Sequence, residues 1–389
     1  MTQNILEQVI SIDVKHIFAF MCSFAITWYA IPNIVHISRS KNLFDLPNGR
    51  TSHKRPTPTL GGAALFASLV ITSMIFININ IITSFQYVIA GSVIIFFTGL
   101  NDDLVDITWK KKVGGEFLAA LFLIVLGDYR FTNLYGFFGI HEINYYWSIL
   151  LTLFVMIGIV NSMNLIDGID GLASGLSVMA TSCFGFWFYM DSQYEMVVVC
   201  AVLAGSLMAF IGFNVFGHHN KIFMGDTGSL LLGYLMTFFV IVFTESNVLK
   251  NSPWHVNNAP IISFAILFIP LFDTLRVMGS RMIKGKSPFT PDRTHIHHKL
   301  LQLGFTHIQT TIILILINGL FIMLIFMLQD LEIHLLASIL IVAGLCKSLI
   351  PIYFTSYYER KSPKVVFKLE DKTHAITEEA KKNGIKLKN

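Results

Sequence analysis

Long apolar stretches separated by short polar segments run through this chain, and their lengths set its class. Eleven of them, at about 14–37, 60–80, 85–100, 113–127, 146–165, 172–190, 195–215, 228–246, 259–278, 307–328 and 333–354, read as membrane-spanning helices. The fourth is short, and the ninth carries Pro270 and Asp273. The pattern predicts an all-α polytopic membrane protein with about eleven transmembrane helices. Residues 1–354 form one transmembrane domain in this reading, and 355–389 form a Lys-rich tail. The first stretch is long enough to remain as an anchor rather than leave as a signal peptide.

Composition supports the same class. The chain is 54% hydrophobic and only 13% charged, about half the charged share of a soluble globular protein. Cys22, Cys183, Cys200 and Cys346 fall inside apolar segments without metal-ligand spacing, so they imply neither a disulfide framework nor a thiolate site. Charge location gives an orientation. If odd-numbered spans end in the cytoplasm, the segments on that side hold 24 of the 28 Lys and Arg residues. Cytoplasmic loops are the ones that carry such an excess. The N-terminus is then outside, and the C-terminus and every aspartate cluster are inside. The aromatic-rich 128–147 stretch lies opposite and reads as an interfacial belt. The tail reads as a solvated or lipid-surface segment.

Aspartates at the span ends carry the candidate chemistry. Ionised carboxylates beside hydrocarbon are costly, so clusters of them mark function. Asp102, Asp103 and Asp106 end the third span; if the helix continues through them, Asp102 and Asp106 share a face. A divalent cation, a proton or the following Lys110, Lys111 and Lys112 would relieve their repulsion. A solvated helix end is the plain alternative. Asn161, Asn164, Asp167 and Asp170, with Gly168 and Gly171, end the fifth span. They exceed what a helix cap needs. Gly225-Asp226-Thr227-Gly228 opens the eighth span, where backbone N–H groups make an anion site, unless Asp226 or Thr227 serves as an ordinary cap. Hard oxygen ligands of this kind suit Mg²⁺, with Mn²⁺ as the substitute, completed by substrate phosphates.

Two cytoplasmic loops add cations. After the ninth span come Asp292, Arg293, His295, His297, His298 and Lys299. A zinc site is one reading, but a phosphate grip by Arg293 and the imidazoles suits the residues better. The loop from Asp45 to Gly62 carries Arg50, His53, Lys54 and Arg55, which headgroup attraction alone would also explain. Glu116, His36 and Lys347 are isolated polar residues in apolar stretches.

In their order, these segments resemble the polyprenyl-phosphate N-acetylhexosamine-1-phosphate transferase family, over roughly residues 15–330. The family's paired aspartates fall on Asp102 and Asp103. Its Asn-x-x-Asn-x-x-Asp-Gly-x-Asp-Gly motif falls on Asn161 to Gly171, and its Gly-Asp-x-Gly-Ser motif on Gly225 to Ser229. The Asp292-Arg293-Thr-His295-Ile-His297-His298 loop looks like the N-acetylglucosamine-1-phosphate branch rather than the muramoyl-pentapeptide branch. The resemblance implies transfer of a sugar-1-phosphate from a UDP-sugar to undecaprenyl phosphate, releasing UMP and starting a cell-surface polysaccharide. It implies Mg²⁺ on Asn164 and Asp226, and phosphate contacts from Lys112. Asp102 or Asp103 would act as base. Arg293, His295, His297 and His298 would bind phosphates, and Asn161, Asp167 and Asp170 the nucleotide or sugar. It further implies a bacterial cytoplasmic membrane, a site on the cytoplasmic face, no nucleic-acid partner and room for a homodimer. A secondary transporter is the rival class, favoured only by Asp273 and Arg276 near Pro270.

Overall fold

The computed structural model describes residues 2–44, 56–78, 81–248, 252–285, 287 and 294–361, with side chains placed from residue 14 to 348 among them. Apolar helices form nearly all of it. They run α1 (Thr2–Ser40), α2 (Gly61–Phe76), α3 (Phe85–Val105) and α4 (Trp109–Leu121), the last continuing into a π-helical turn at Phe122–Leu126. After a hairpin come α5 (Tyr145–Ile166), α6 (Leu172–Met190), α7 (Tyr194–Phe216), α8 (Gly225–Ser246) and α9 (Ala259–Ile266). Then follow α10 (Phe268–Ile283), α11 (Ile296–Gln302), α12 (His307–Met327) and α13 (Ile333–Lys361).

Seven helices among the described residues are long and apolar enough to cross a membrane: Val14–Ser40 of α1, then α3, α5, α6, α7, α8 and α12. The chain is therefore a polytopic, mostly helical protein. Each of the eleven expected stretches falls on a helix or a pair of helices, but four fall on shorter or broken pieces. These are α2, α4 with its π turn, the α9–α10 pair and the apolar Ile333–Ser348 part of α13. The pair α9–α10 bends by 85°. Asn318 of α12 braces that break, accepting from the Ile269 N–H at 2.9 Å and donating to the Ile266 carbonyl at 2.9 Å. The helix ladder is interrupted there, and a buried amide replaces what the backbone loses.

The all-α expectation misses one element. Within the aromatic-rich segment, β1 (Asn133–Phe137) pairs antiparallel with β2 (Ile140–Glu142). Glu245 at the end of α8 anchors its approach, accepting from the Thr132 N–H at 2.8 Å and hydroxyl at 2.6 Å.

α8 is the axis of the fold. Leu, Phe, Val and Ile cover it on every side, the mark of a helix with no outward face, and its whole spanning window is buried. α2, α3 and α5 approach it through glycines. A Cβ at Gly62 would lie 2.1 Å from the Gly228 nitrogen, and one at Gly99 would lie 2.5 Å from the Thr227 Cα. On α8 itself, a Cβ at Gly233 would lie 2.5 Å from Val160 of α5. Close contacts of backbone with backbone are how helices associate where lipid offers no hydrophobic drive. Their consequence is positional. The first turn of α8, carrying Asp226, is fixed against the start of α2 and the end of α3.

Candidate active site

Three chain segments meet at that first turn. Gly225 has φ +70°, and a Cβ there would lie 2.1 Å from the Thr59 carbonyl oxygen and 2.6 Å from Asp103 Oδ2. Only glycine fits that combination of turn and crowding. The strand-like segment before α2 is tied to the turn by Phe223 N–H to the Pro58 carbonyl at 2.8 Å and Gly61 N–H to the Phe223 carbonyl at 3.0 Å.

Asp103 occupies the N-terminus of α8. Its Oδ1 accepts the Asp226 N–H at 2.8 Å, and its Oδ2 accepts the Thr227 N–H at 2.9 Å and hydroxyl at 2.5 Å. The expected anion site is thus filled by a carboxylate of the same chain, which satisfies orphan donors of the helix start. Neither Asp226 nor Thr227 is the residue that caps α8. Asp106 departs from expectation too. α3 ends at Val105, and Asp106 has left-handed backbone with φ 52°, so it does not share a helical face with Asp102.

Lys112 joins the other carboxylates. Its Nζ lies 3.0 Å from Asp102 Oδ2 and 2.6 Å from Asp226 Oδ2. Asp102 Oδ1 also accepts the Ile107 N–H at 2.9 Å. Asn164 donates through Nδ2 to Asp226 Oδ1 at 2.7 Å and to the Ser229 hydroxyl oxygen at 2.8 Å. Asp102, Lys112, Asp226 and Asn164 therefore form one continuous network drawn from α3, α4, α8 and α5. One turn behind it, Asn161 donates to the buried Glu116 at 3.3 Å and to the Ile157 carbonyl at 2.8 Å.

The network opens onto a cavity of about 490 Å³, lined also by Asp167, Asp170, Asn214, His298 and His307, with Leu43, Phe44 and Leu104 giving it an apolar side. Asp167 ends α5. Burial, and then the charges of Asp226, Asp103 and Asp170, push its carboxyl well above the usual carboxylate range. Asp170 goes the other way. Burial alone would raise it, but hydrogen bonds from His307 and Lys221, with their charges, hold it below its ordinary value.

The histidine loop is organised by Asp273. That carboxylate takes Arg276 at 2.7 Å, His295 Nδ1 at 2.9 Å and the Ile296 N–H at 3.1 Å. The charge that would favour a transporter is consumed inside the fold. His297 is buried against Gly168, where a Cβ would come 2.6 Å from its Nε2. Its neighbours His295 and His298 lie with ring centroids 5.8 and 4.2 Å away. Arg293, together with Asp45, Asp292, Arg50, His53, Lys54 and Arg55, lies outside the described residues.

Metal fit follows from the donor set. No three His, Cys, Asp or Glu residues converge as a ligand cluster among the described residues. Oxygen groups converge instead. Asp226 and Asn164, joined at 2.7 Å, are oxygen-bearing groups of the kind that suits a hard cation. Such a cation draws its remaining ligands from water and phosphate.

Sequence reasoning missed Lys221 and His307. Both bind Asp170 Oδ2, at 2.6 and 3.1 Å. Lys221 did carry a signal, as the lone Lys or Arg in the segment 216–227. His307 carried none, standing 137 residues from its partner.

The profile of glycosyl transferase family 4 matches residues 85–244, the stretch holding all three aspartate motifs. The undecaprenyl-phosphate alpha-N-acetylglucosaminyl 1-phosphate transferase of Escherichia coli strain K12 is 31% identical over 283 residues, covering 72% of this chain and 75% of that protein. The chain belongs to this family. The Yersinia pestis protein of the same name is 30% identical over 81% of this chain and 84% of its own. A decaprenyl-phosphate N-acetylglucosaminephosphotransferase of Mycobacterium tuberculosis is 31% identical over 76% of this chain and 78% of its own. The family profile ends before Asp273, so the histidine loop adds its geometry independently of that match.

Proposed function

We propose that the chain transfers N-acetylglucosamine-1-phosphate from UDP-N-acetylglucosamine to undecaprenyl phosphate, giving a lipid-diphosphate-sugar and UMP. The observation that carries this reading is the Asp102–Lys112–Asp226–Asn164 network at the cavity, in a chain whose relatives bear the names of that reaction. One phosphate oxygen of the lipid attacks the β-phosphorus of the donor. The new bond is lipid-phosphate oxygen to β-phosphorus; the bond broken joins that phosphorus to the bridging oxygen, which leaves with UMP. Such chemistry needs alignment and charge balance more than covalent help from the protein.

The residues divide the work. Lys112, the cation between two carboxylates, meets incoming phosphate oxygens. Both aspartates engage both oxygens, but Asp102 Oδ2 pairs with Lys112, whose charge an incoming phosphate would share, whereas Asp103 gives both oxygens to the first turn of α8; Asp102 is therefore the better placed base. The lipid phosphate's second pKa near 6 makes proton removal a mild demand. Asp226 and Asn164 would hold Mg²⁺, which would supply charge neutralisation to the diphosphate. The apolar side of the cavity at Leu43, Phe44 and Leu104 suits the approach of a prenyl chain.

The same reading takes eleven crossings, an outside N-terminus and an inside C-terminus in a bacterial inner membrane. The bias of 24 of 28 basic residues to one side supports it, and in this reading the cavity faces the cytoplasm, where sugar nucleotides are available. The test uses purified protein, Mg²⁺, undecaprenyl phosphate and a panel of UDP-sugars, scored by UMP release. Release with UDP-N-acetylglucosamine above the others supports the proposal. No release with any UDP-N-acetylhexosamine overturns it.

A further inference from the structure

Asp170 is held at both its side chain and its backbone. Its Oδ2 takes the Lys221 ammonium at 2.6 Å and His307 Nδ1 at 3.1 Å. Its backbone carbonyl accepts the Thr311 hydroxyl at 3.0 Å. The next residue, Gly171, has φ +77° and donates its N–H to Asn214 Oδ1 at 2.7 Å. Asn214 in turn donates to the Ile222 carbonyl at 2.9 Å, next to Lys221. The turn between α5 and α6 is therefore stapled to α7, to the segment before α8 and to the first turn of α12. His307 itself is fixed, because it opens α12 directly after a capping box of Thr306 and Gln309.

This arrangement uses one carboxylate oxygen and leaves the other. Oδ1 accepts no hydrogen bond from a described residue, and Asp170 lines the cavity. An ionised carboxylate can only accept. A lipid phosphate brings oxygen anions that such a group repels. A sugar nucleotide brings neutral donors as well, on the base, the ribose and the sugar.

We propose that Lys221 and His307 are positioning residues for donor recognition: by pinning Asp170 Oδ2, they aim Oδ1 at an N–H or O–H group of the sugar nucleotide. This rests on the transferase reading for its substrate. The pair touches Asp170 and not the reacting phosphates, so its loss falls on donor affinity and spares the chemical step. Holding a charged acceptor in one orientation lowers the cost of forming the donor's hydrogen bond.

The experiment measures kcat and both KM values for Lys221→Met and His307→Leu, with Lys221→Arg and His307→Asn as variants that restore a donor. Each removal should raise KM for UDP-N-acetylglucosamine on the order of ten-fold, the scale of one charge-assisted hydrogen bond. The KM for undecaprenyl phosphate and kcat should stay within about two-fold, and the restoring variants should recover most of the loss. In an Asp170→Asn background, Lys221→Met should add no further loss, because its partner's charge is gone. An unchanged donor KM overturns the inference, as does an equal rise for both substrates or a loss confined to kcat. If the wild-type protein neither turns over nor binds any UDP-N-acetylhexosamine, the transferase reading falls and this inference with it. Normal wild-type turnover with indifferent variants overturns this inference alone.

Discussion

The ammonium of Lys112 lies 2.6 Å from Asp226 Oδ2, across 114 residues of sequence and between two helices that do not follow one another in the chain. With Asp102 at 3.0 Å on its other side, it neutralises two carboxylates that would otherwise repel at the mouth of the cavity. Lys112→Met should therefore reduce turnover by on the order of a hundred-fold, as loss of a single electrostatic stabiliser does. Lys112→Arg, which keeps the charge but not the shape, should retain more. UMP release by the two variants checks this, and equal activity of Lys112→Met and wild type would remove Lys112 from the site.

The paired aspartates should separate by experiment. Both line the cavity, but Asp103 accepts three hydrogen bonds from the first turn of α8, while Asp102 pairs with Lys112. Asp103→Asn should lower thermal stability in detergent by about 1–3 kcal/mol, because one of its groups then presents N–H to N–H. Asp102→Asn should keep the fold and lose about a hundred-fold or more in turnover, the scale of a general base. The reverse pattern would exchange the two roles.

Much of this was legible in the sequence, and the rest had physical reasons to be hidden. Helix positions follow from hydropathy because lipid forces apolar length, so each of the eleven stretches falls on a helix or helix pair, seven of them on helices long enough to cross a membrane among the described residues. Pro270 signalled the break in α9–α10, since its missing N–H leaves the Ile266 carbonyl without a helical donor, but the bracing Asn318 belongs to another helix and was not readable. The aspartate motifs announced themselves through the cost of charge near lipid. Their division of labour did not, because Asp102 and Asp103 are adjacent and differ only in which helix each faces. Asp273 had no role in the sequence beyond lending, with Arg276, some support to a transporter, and it is the anchor of the histidine loop. Lys221 and His307 are ordinary residues at segment ends, and only tertiary contact gives them a partner.

Gly225 offers a test of how tightly the site is built. Its φ of +70° and the 2.1 Å approach of the Thr59 carbonyl oxygen to any Cβ leave no room for alanine. Gly225→Ala should destabilise by about 1–3 kcal/mol from backbone strain alone, with the clash added. It should also lose activity, since the displaced turn carries Asp226. Gly114→Ala is the control, because a Cβ there meets nothing within 4 Å and alanine favours the helix. Thermal unfolding of both variants in detergent decides the matter; similar shifts would show that the crowding at Gly225 is relieved by neighbours.

His297 predicts a pH dependence of stability. It is 1% exposed, and neither ring nitrogen has a hydrogen-bond partner among the described residues. Burial first, and then the charge of His298, push its pKa down to about 3, against about 6.5 in an unfolded chain. Between those values the unfolded state binds a proton that the folded state refuses, so stability rises with pH. The contribution is fully present above about pH 6.5 and is lost progressively as pH falls toward 3. The melting temperature should accordingly drop between pH 7 and pH 5. In His297→Gln, which cannot take up that proton, the drop should be smaller. Parallel curves for the two proteins would mean that His297 is charged in the folded state, and that its place against Gly168 is more open to water than its burial indicates.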